Sequence, residues 1–279
     1  MPATDKNSWT QSDYSTVATE AVRRILIEIS RLLGAYSTRI VLIGGSVPPL
    51  LLPASANEHI GTTDIDLAID HTVITDEEYK DIEVLLTGAG YARGEKPYVF
   101  LKTVDMNGVK ATVQVELLAG EYNGTGKKHR TQKVQGIRAM KMHGCDVVFQ
   151  MHQTVRIDGL LPNGMRDSSV IRIPTMTAFL SMKGIALANR MKLKDAYDIY
   201  FCISNTTDID QLAEEIRGHL GHGLVREGMK AIAEKFASVE HVGPAEVAEF
   251  DDTADDEVKQ LIRQDAFQQV KRLMDKLNF

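Results

Sequence analysis

Apolar residues recur along the first part of the chain with two different periods. Over residues 15–33 they recur every three to four positions, which predicts an amphipathic helix. Residues 40–43 form a short apolar run that ends at two glycines, a pattern typical of a buried strand entering a tight turn. Residues 64–70 alternate polar and apolar positions and predict a second strand, because successive side chains of a strand point to opposite faces.

The next hundred residues predict one helix and several more strands. A capping box, in which Thr75 is followed three residues later by Glu78, starts a helix over 75–86. The dipeptide Asn107-Gly108 is typical of a hairpin turn and lies between two strand patterns. The further predicted strands cover 98–103, 109–118, 147–151, 154–157 and 170–173.

Beyond Pro174 the periodicity becomes helical. Residues 175–190 and 195–203 carry amphipathic patterns, and the remainder is helical with polar breaks. The sequence therefore predicts an α+β protein, in which a mixed β-sheet domain with an N-terminal helix (1–174) precedes a mostly helical domain (175–279). At 279 residues the chain is long enough for two hydrophobic cores.

Two short motifs at the start of the sheet region are candidates for chemistry. Asp64 and Asp66 lie two apart on a predicted strand, so their carboxylates share one face, and a divalent cation is the usual reason to tolerate that repulsion. Gly44, Gly45 and Ser46 form a turn that offers backbone N–H groups and a hydroxyl to an anion. The aspartates are therefore candidate metal ligands, and the turn is a candidate phosphate site.

Composition and charge narrow the function classes. The net charge of −6 argues against a chain that coats nucleic acid with its whole surface. The two cysteines lack metal-ligand spacing, which argues against a zinc site or a disulfide framework and favours a reducing cytoplasm. No segment approaches the length of a membrane span, so we expect no membrane association.

One segment of this acidic chain is locally positive. Residues 122–145 contain no acidic residue, and Lys127, Lys128 and Arg130 are grouped within them. Clustered lysine and arginine side chains can contact the phosphates of an RNA. The alternative is a solvated basic hairpin.

The order of strand, Gly-Gly-Ser turn, short helix and Asp-x-Asp strand resembles the nucleotidyltransferase superfamily typified by DNA polymerase beta. The resemblance implies that a nucleoside triphosphate binds at the turn and that Asp64 and Asp66 hold Mg²⁺. It also implies a third carboxylate from a later strand, for which Glu116 is the best match and Asp105 a weaker one. A solvent-facing strand residue is the alternative for Glu116. The 17 residues between the turn and Asp64 exceed the common spacing of that superfamily.

A second resemblance covers residues 171–201, which are similar to the later motifs of the AbiEii/AbiGii toxin nucleotidyltransferases. The matching residues are Lys183, Arg190, Lys194, Asp195 and Asp198. Lys183 and Arg190 lie seven residues apart on one helix face, where two cations could hold a triphosphate. Asp195 or Asp198, on the next helix, could accept a proton from an attacking hydroxyl. The alternative is an interhelical salt-bridge cluster.

Both resemblances imply an enzyme that transfers a nucleoside monophosphate from a nucleoside triphosphate to an acceptor. The first hypothesis is a toxin that modifies RNA, tRNA or a protein and is paired with an antitoxin protein. A second is a non-catalytic module that binds a nucleotide or a partner. A third is an enzyme that modifies a small hydroxyl compound, as antibiotic nucleotidyltransferases do.

Overall fold

The computed structural model of the chain describes residues 6–120, 131–134 and 137–279, and it describes side chains over 7–120 and 142–279. Within these ranges the predicted α+β class is confirmed. The α-helices are α1 (Thr16–Leu32), α2 (Pro48–Leu51), α3 (Asp76–Gly88), α4 (Val147–Gln150), α5 (Met176–Asn189), α6 (Leu193–Ser204), α7 (Ile209–His219), α8 (Gly223–Lys235), α9 (Val242–Asp251) and α10 (Asp256–Leu277). The strands are β1 (Ile40–Ile43), β2 (Asp64–Ile69), β3 (Ala92–Arg93), β4 (Val99–Met106), β5 (Val109–Gly120), β6 (Thr131–Val134), β7 (Ile137–Met142), β8 (His152–Leu160) and β9 (Arg166–Pro174). None of the described helices is long and apolar enough to cross a membrane.

The chain divides into two compact units. The sheet unit comprises Tyr14–Leu50 and Gly61–Thr175. The helical unit comprises Leu51–Ile60, Met176–Phe279 and the described residues before Tyr14. The change after Thr175 falls one residue beyond the predicted boundary at 174. The prediction assigned all residues before 175 to the sheet domain. In the structure, the segment Leu51–Ile60 and the described residues before Tyr14 belong to the helical unit instead.

The sheet unit is built on a mixed sheet in the order β1-β2-β5-β4-β3, with β7 pairing in parallel with the end of β5. The strand β2 is antiparallel to β1 and parallel to β5. The register sets Ile43 opposite Asp66, and Asp66 opposite Glu116. Residues directly opposite on paired strands point to the same face. Asp64, Asp66 and Glu116 therefore share one face of the sheet.

Most local predictions in the sheet unit are confirmed. Ser15 caps α1, and the capping box of Thr75 and Glu78 starts α3. Asn107 and Gly108 both have positive φ, as a tight hairpin turn between β4 and β5 requires. The strand predicted over 147–151 is wrong, because this segment forms α4. A run of five residues carries too little periodicity to separate a buried strand from a buried helical turn.

In the helical unit, α5 is buried around most of its circumference. Gly184 of α5 approaches α8 so closely that a Cβ there would overlap the backbone of Gly228. A helix that is apolar on nearly every side belongs in the interior of a protein. Lys183 is therefore carried into the core by its helix, and a buried ammonium group must find counter-charges there.

Candidate functional site

The turn after β1 lies directly against the acidic strand β2. Gly44 has a φ of +74°, in the left-handed region that favours glycine. A Cβ placed on Gly44 would overlap Oδ2 of Asp66. The missing side chain therefore lets the Asp66 carboxylate approach the main chain of the turn. The structure brings together two motifs that lie apart in the sequence.

The hydroxyl of Ser46 is buried beside this contact. Ser46 is 7% exposed, and its Oγ has no hydrogen-bond partner in the described part of the chain. A buried polar atom without a partner costs about 1–3 kcal/mol. Val47 donates its N–H to the carbonyl of Gly44 at 3.2 Å, so the turn itself is tightly wound. A phosphate oxygen at this turn would give the Ser46 hydroxyl the acceptor that it lacks.

Asp64 and Glu116 each accept a hydrogen bond from a residue two positions earlier. Thr62 donates from Oγ1 to Oδ1 of Asp64 at 2.6 Å, and Gln114 donates from Nε2 to Oε1 of Glu116. Gln114 also lies opposite Asp64 in the β2–β5 register. An ionised carboxylate has about four acceptor positions, so one donor does not saturate it. These two pairs fix the orientation of the acids on the shared face.

Asp64, Asp66 and Glu116 are the predicted ligands of a magnesium ion. Among the residues with described side chains, no group of three or more His, Cys, Asp or Glu is arranged to hold a metal ion. Glu116 lies opposite Asp66 in the sheet, and its role as a third metal ligand stays a prediction. Magnesium is usually held by one or two carboxylates together with waters and substrate phosphates. Asp64 and Asp66, which share one face of the sheet, fit such an ion.

In the helical unit, Lys183 is buried and paired with two carboxylates of α6. Its Nζ donates to Oδ1 of Asp195 at 2.7 Å and lies 2.7 Å from Oδ2 of Asp198. Burial alone would lower the pKa of Lys183, but the two aspartates outweigh burial and raise the pKa above its usual value. Lys183 therefore stays charged.

Asp195 is shared by Lys183 and Arg190. Arg190 donates from Nε to Oδ2 at 2.7 Å and from Nη2 to Oδ1 at 3.1 Å. Burial acts to raise the pKa of Asp195, but the two cations outweigh it and hold the pKa well below its usual range. A carboxylate with a lowered pKa is a weak base. The contacts match the salt-bridge alternative, and the role of Asp195 as a proton acceptor stays a prediction.

Asp198 also contacts a histidine that sequence reasoning missed. Nε2 of His59 lies 2.9 Å from Oδ1 of Asp198, and Lys194 donates from Nζ to the same oxygen at 2.6 Å. Burial and then Lys194 lower the pKa of His59 to about 4, although Asp198 acts in the opposite direction. A single histidine in a polar loop gives no sequence signal of such a contact.

Glu246 of α9 is a second residue that the sequence did not single out. It is 6% exposed, and its Oε2 has no hydrogen-bond partner among the described residues. Burial and the negative charge of Asp195 raise the pKa of Glu246 to about 7. Its position in a helical pattern resembled that of any other glutamate, so only the packing of α9 reveals it.

Four residues that the sequence singled out belong neither to the turn with its acidic strand nor to the buried ionic cluster. Lys127, Lys128 and Arg130 lie outside the described residues. Asp105 accepts a hydrogen bond from the N–H of Gly108 at 2.6 Å and so stabilises the turn between β4 and β5. Asp105 therefore has a structural role in the hairpin.

No protein-family model matches the chain, and no curated protein matches it either. The class that the structure shows is an α+β protein with a mixed sheet and a helical unit. The two groups of polar residues that could carry a function are the turn with its acidic strand and the buried ionic cluster around Lys183.

Proposed function

We propose that the chain is a magnesium-dependent nucleotidyltransferase that binds a nucleoside triphosphate at the turn of Gly44, Gly45 and Ser46. The observation that carries this proposal is the contact between Gly44 and the Asp66 carboxylate. This contact supports the proposal because it brings the turn of Gly44 and the acidic strand β2 together within the sheet unit. The resemblance to the nucleotidyltransferase superfamily supports the same assignment.

In this reaction the chain would mainly bind and orient the triphosphate. The glycines let a phosphate group approach the main chain, and the buried Ser46 hydroxyl donates to a phosphate oxygen. Asp64 and Asp66 would hold Mg²⁺, which when bound neutralises phosphate charge. An acceptor hydroxyl would attack the α-phosphorus and release its proton to water. Its oxygen–phosphorus bond forms as the bond to pyrophosphate breaks, and pyrophosphate leaves. Positioning and charge supply most of the rate enhancement.

Incubation of the protein with magnesium, total RNA and each labelled triphosphate tests the proposal. We expect label to be transferred from at least one triphosphate, and we expect Asp64→Asn and Asp66→Asn to lower that transfer about 100-fold or more. Asp105→Asn is the matched control, because asparagine can still accept the turn hydrogen bond. If the wild-type protein transfers no label but binds a triphosphate through Ser46, the chain is a nucleotide-binding module instead.

We propose that the acceptor is an RNA. The alternative is a protein acceptor that the chain modifies as a toxin. The basic group of Lys127, Lys128 and Arg130 favours RNA, because phosphate contacts require clustered cations. Charge reversal at these three residues should weaken RNA binding and reduce its dependence on salt. Salt-insensitive RNA binding that is unchanged by the reversal would contradict the proposed role of this basic group. The low cysteine content is consistent with action in the cytoplasm.

A further inference from the structure

The strands β8 and β9 pair with each other and form a two-stranded ribbon separate from the main sheet. One face of this ribbon packs on α1. A Cβ on Gly159 would lie 2.9 Å from Cδ1 of Ile27, and Asp167 pairs with Arg31. Successive side chains of a strand point to opposite faces, so every second residue of the ribbon points away from α1. We call this second side the outer face.

Three arginines lie in a row on the outer face. Arg156 and Arg166 are exposed, and Arg172 is half-buried. Arg156 lies opposite Val170, so Arg172 is its diagonal neighbour, at about 7–8 Å between Cβ atoms. Arg166 lies on the same strand and face as Arg172, roughly 20 Å away along the strand. The ribbon therefore presents positive charge along most of its length.

A fourth arginine joins the row at its Arg172 end. Arg172 donates from Nη1 to the carbonyl oxygen of Thr38 at 2.8 Å, and Arg39 donates from Nη1 to the Thr38 hydroxyl at 3.1 Å. Two guanidinium groups thus meet at one exposed residue. Two neighbouring cations attract an anion more strongly than either does alone. We call Arg39, Arg156, Arg166 and Arg172 the arginine surface.

Two carboxylates lie beside the arginine surface. Asp158 pairs with Arg156 at 3.1 Å, and Glu78 pairs with Arg39 at 2.9 Å. An exposed pair such as Arg156 with Asp158 contributes only about 0–1 kcal/mol, and a guanidinium group has five N–H donors. A phosphate can therefore still bind to these arginines. Four arginines beside two carboxylates leave the surface positive, although the net charge of the whole chain is −6.

The side chains of the ribbon indicate which polyanion fits. Thr154 and Ser168 add hydroxyl groups to the outer face, and no phenylalanine, tyrosine or tryptophan occurs over residues 152–174. Protein interfaces are commonly anchored by aromatic side chains, and proteins that bind single strands stack bases on aromatic rings. Contacts to the phosphates of a duplex require only arginine and hydroxyl side chains. A strand of a duplex carries a phosphate about every 3.4 Å of its axis, so the row spans roughly six phosphates.

We propose that the arginine surface binds the phosphate backbone of paired RNA, independently of base sequence. All four arginines belong to the sheet unit, and the binding requires neither a triphosphate nor magnesium. The surface is a second RNA contact, distinct from the basic group of Lys127, Lys128 and Arg130. Only the choice of RNA over DNA rests on the proposed function, in which RNA is the acceptor.

A fluorescein-labelled RNA hairpin with a paired stem, titrated with the full chain in the absence of triphosphate, tests the proposal. We expect the double variant Arg156→Gln/Arg166→Gln to weaken binding roughly 10-fold and to lower the salt slope by about two, or one per lost phosphate contact. Arg156→Lys/Arg166→Lys keeps both charges and should keep most of the slope. The matched control is Arg93→Gln/Lys110→Gln, which removes the same charge from exposed positions of β3 and β5.

Three results would overturn the proposal: a wild type that binds no RNA, an unchanged affinity in Arg156→Gln/Arg166→Gln, or an equal loss in the control. Polyglutamate that displaces the hairpin as well as unlabelled RNA does would assign the surface to an acidic protein instead. Tighter binding of a DNA hairpin of the same sequence would contradict the choice of RNA.

The titration separates this proposal from the proposed function, because it measures no transfer. If the wild type transfers no label but loses RNA affinity through Arg156→Gln/Arg166→Gln, the arginine surface stands and the proposed function fails. If the wild type transfers label and this variant binds the hairpin as tightly as the wild type, the arginine surface fails and the proposed function stands.

Discussion

The carboxylate of Asp66 occupies the space that a side chain on Gly44 would need. Gly44 is therefore required for two separate reasons, which are its left-handed backbone conformation and the close approach of the acid. The two requirements can be measured independently, because Gly108 of the sheet unit has a positive φ without a close neighbour.

Gly44→Ala should destabilise the protein more than the same change at a glycine with positive φ and open space. Alanine in the left-handed region costs about 1–2 kcal/mol. Gly108 has a φ of +89° and no atom within 4 Å of an added Cβ, so Gly108→Ala measures that cost alone. Urea unfolding of both variants gives the difference, which we assign to displacement of Asp66. Equal free energies of unfolding would show that Asp66 moves aside without cost.

Lys183→Met should be among the most destabilising single changes in the helical unit. It removes the cation between Asp195 and Asp198 and leaves two buried carboxylates short of counter-charge, which typically costs about 3–5 kcal/mol. Lys230→Met is the control, because Lys230 forms an exposed pair with Glu234 on α8 and such pairs contribute about 0–1 kcal/mol. Denaturant unfolding measures both changes. A loss at Lys183 no larger than at Lys230 would contradict the paired geometry of the cluster.

Glu246→Gln should stabilise the protein at alkaline pH. The folded protein raises the pKa of Glu246 from 4.5 to about 7, so ionisation of this carboxyl opposes folding as the pH rises through that interval. The penalty approaches about 3 kcal/mol above pH 7, and glutamine removes it. The variant should match the wild type at pH 4.5 and exceed its free energy of unfolding at pH 8.

The control for this effect is Glu249→Gln, on the exposed side of the same helix. Glu249 forms an exposed pair with Lys259, so we expect Glu249→Gln to change the free energy of unfolding at pH 8 by no more than about 1 kcal/mol. If the free energy of unfolding depends on pH in the same way in both glutamine variants, folding does not raise the pKa of Glu246.

His59 should make the protein less stable in acid. Its pKa falls from 6.5 to about 4 on folding, so the unfolded chain binds a proton that the folded protein does not bind between these values. The stability contribution is complete above pH 6.5 and is lost as the pH falls, by roughly 3 kcal/mol at pH 4. His59→Gln should flatten this part of the curve, measured by urea unfolding between pH 4 and 7. His219→Gln, the exposed control, should leave the slope unchanged.

Local signals in the sequence predicted most of the sheet unit. The two glycines after an apolar run predicted the turn, and the alternation over 64–70 predicted the acidic strand. The contact between Gly44 and Asp66 follows from the antiparallel pairing of β1 and β2, in which Ile43 lies opposite Asp66. This part of the candidate site was predictable because each of the two strands carries its own local pattern and the two strands pair directly.

The buried cluster was only partly predictable. Lys183 and Asp195 are close in sequence and lie on consecutive helices, so their pairing could be anticipated from helical spacing. His59 and Asp198 are 139 residues apart, and no local pattern links a histidine in a polar loop to an aspartate on a distant helix. Glu246 gave no signal for the same reason, because its burial depends on how α9 packs.

The segment Leu51–Ile60 belongs to the helical unit although it is made before most of the sheet unit, and this order affects how the chain folds during synthesis. Its partners on α6 leave the ribosome more than a hundred residues later, so the segment cannot complete its contacts until the C-terminal helices have been made. A gene cut after Thr175 would likewise give a helical fragment without His59. Fragments of this protein should therefore be expressed with the segment Leu51–Ile60 supplied to the helical half.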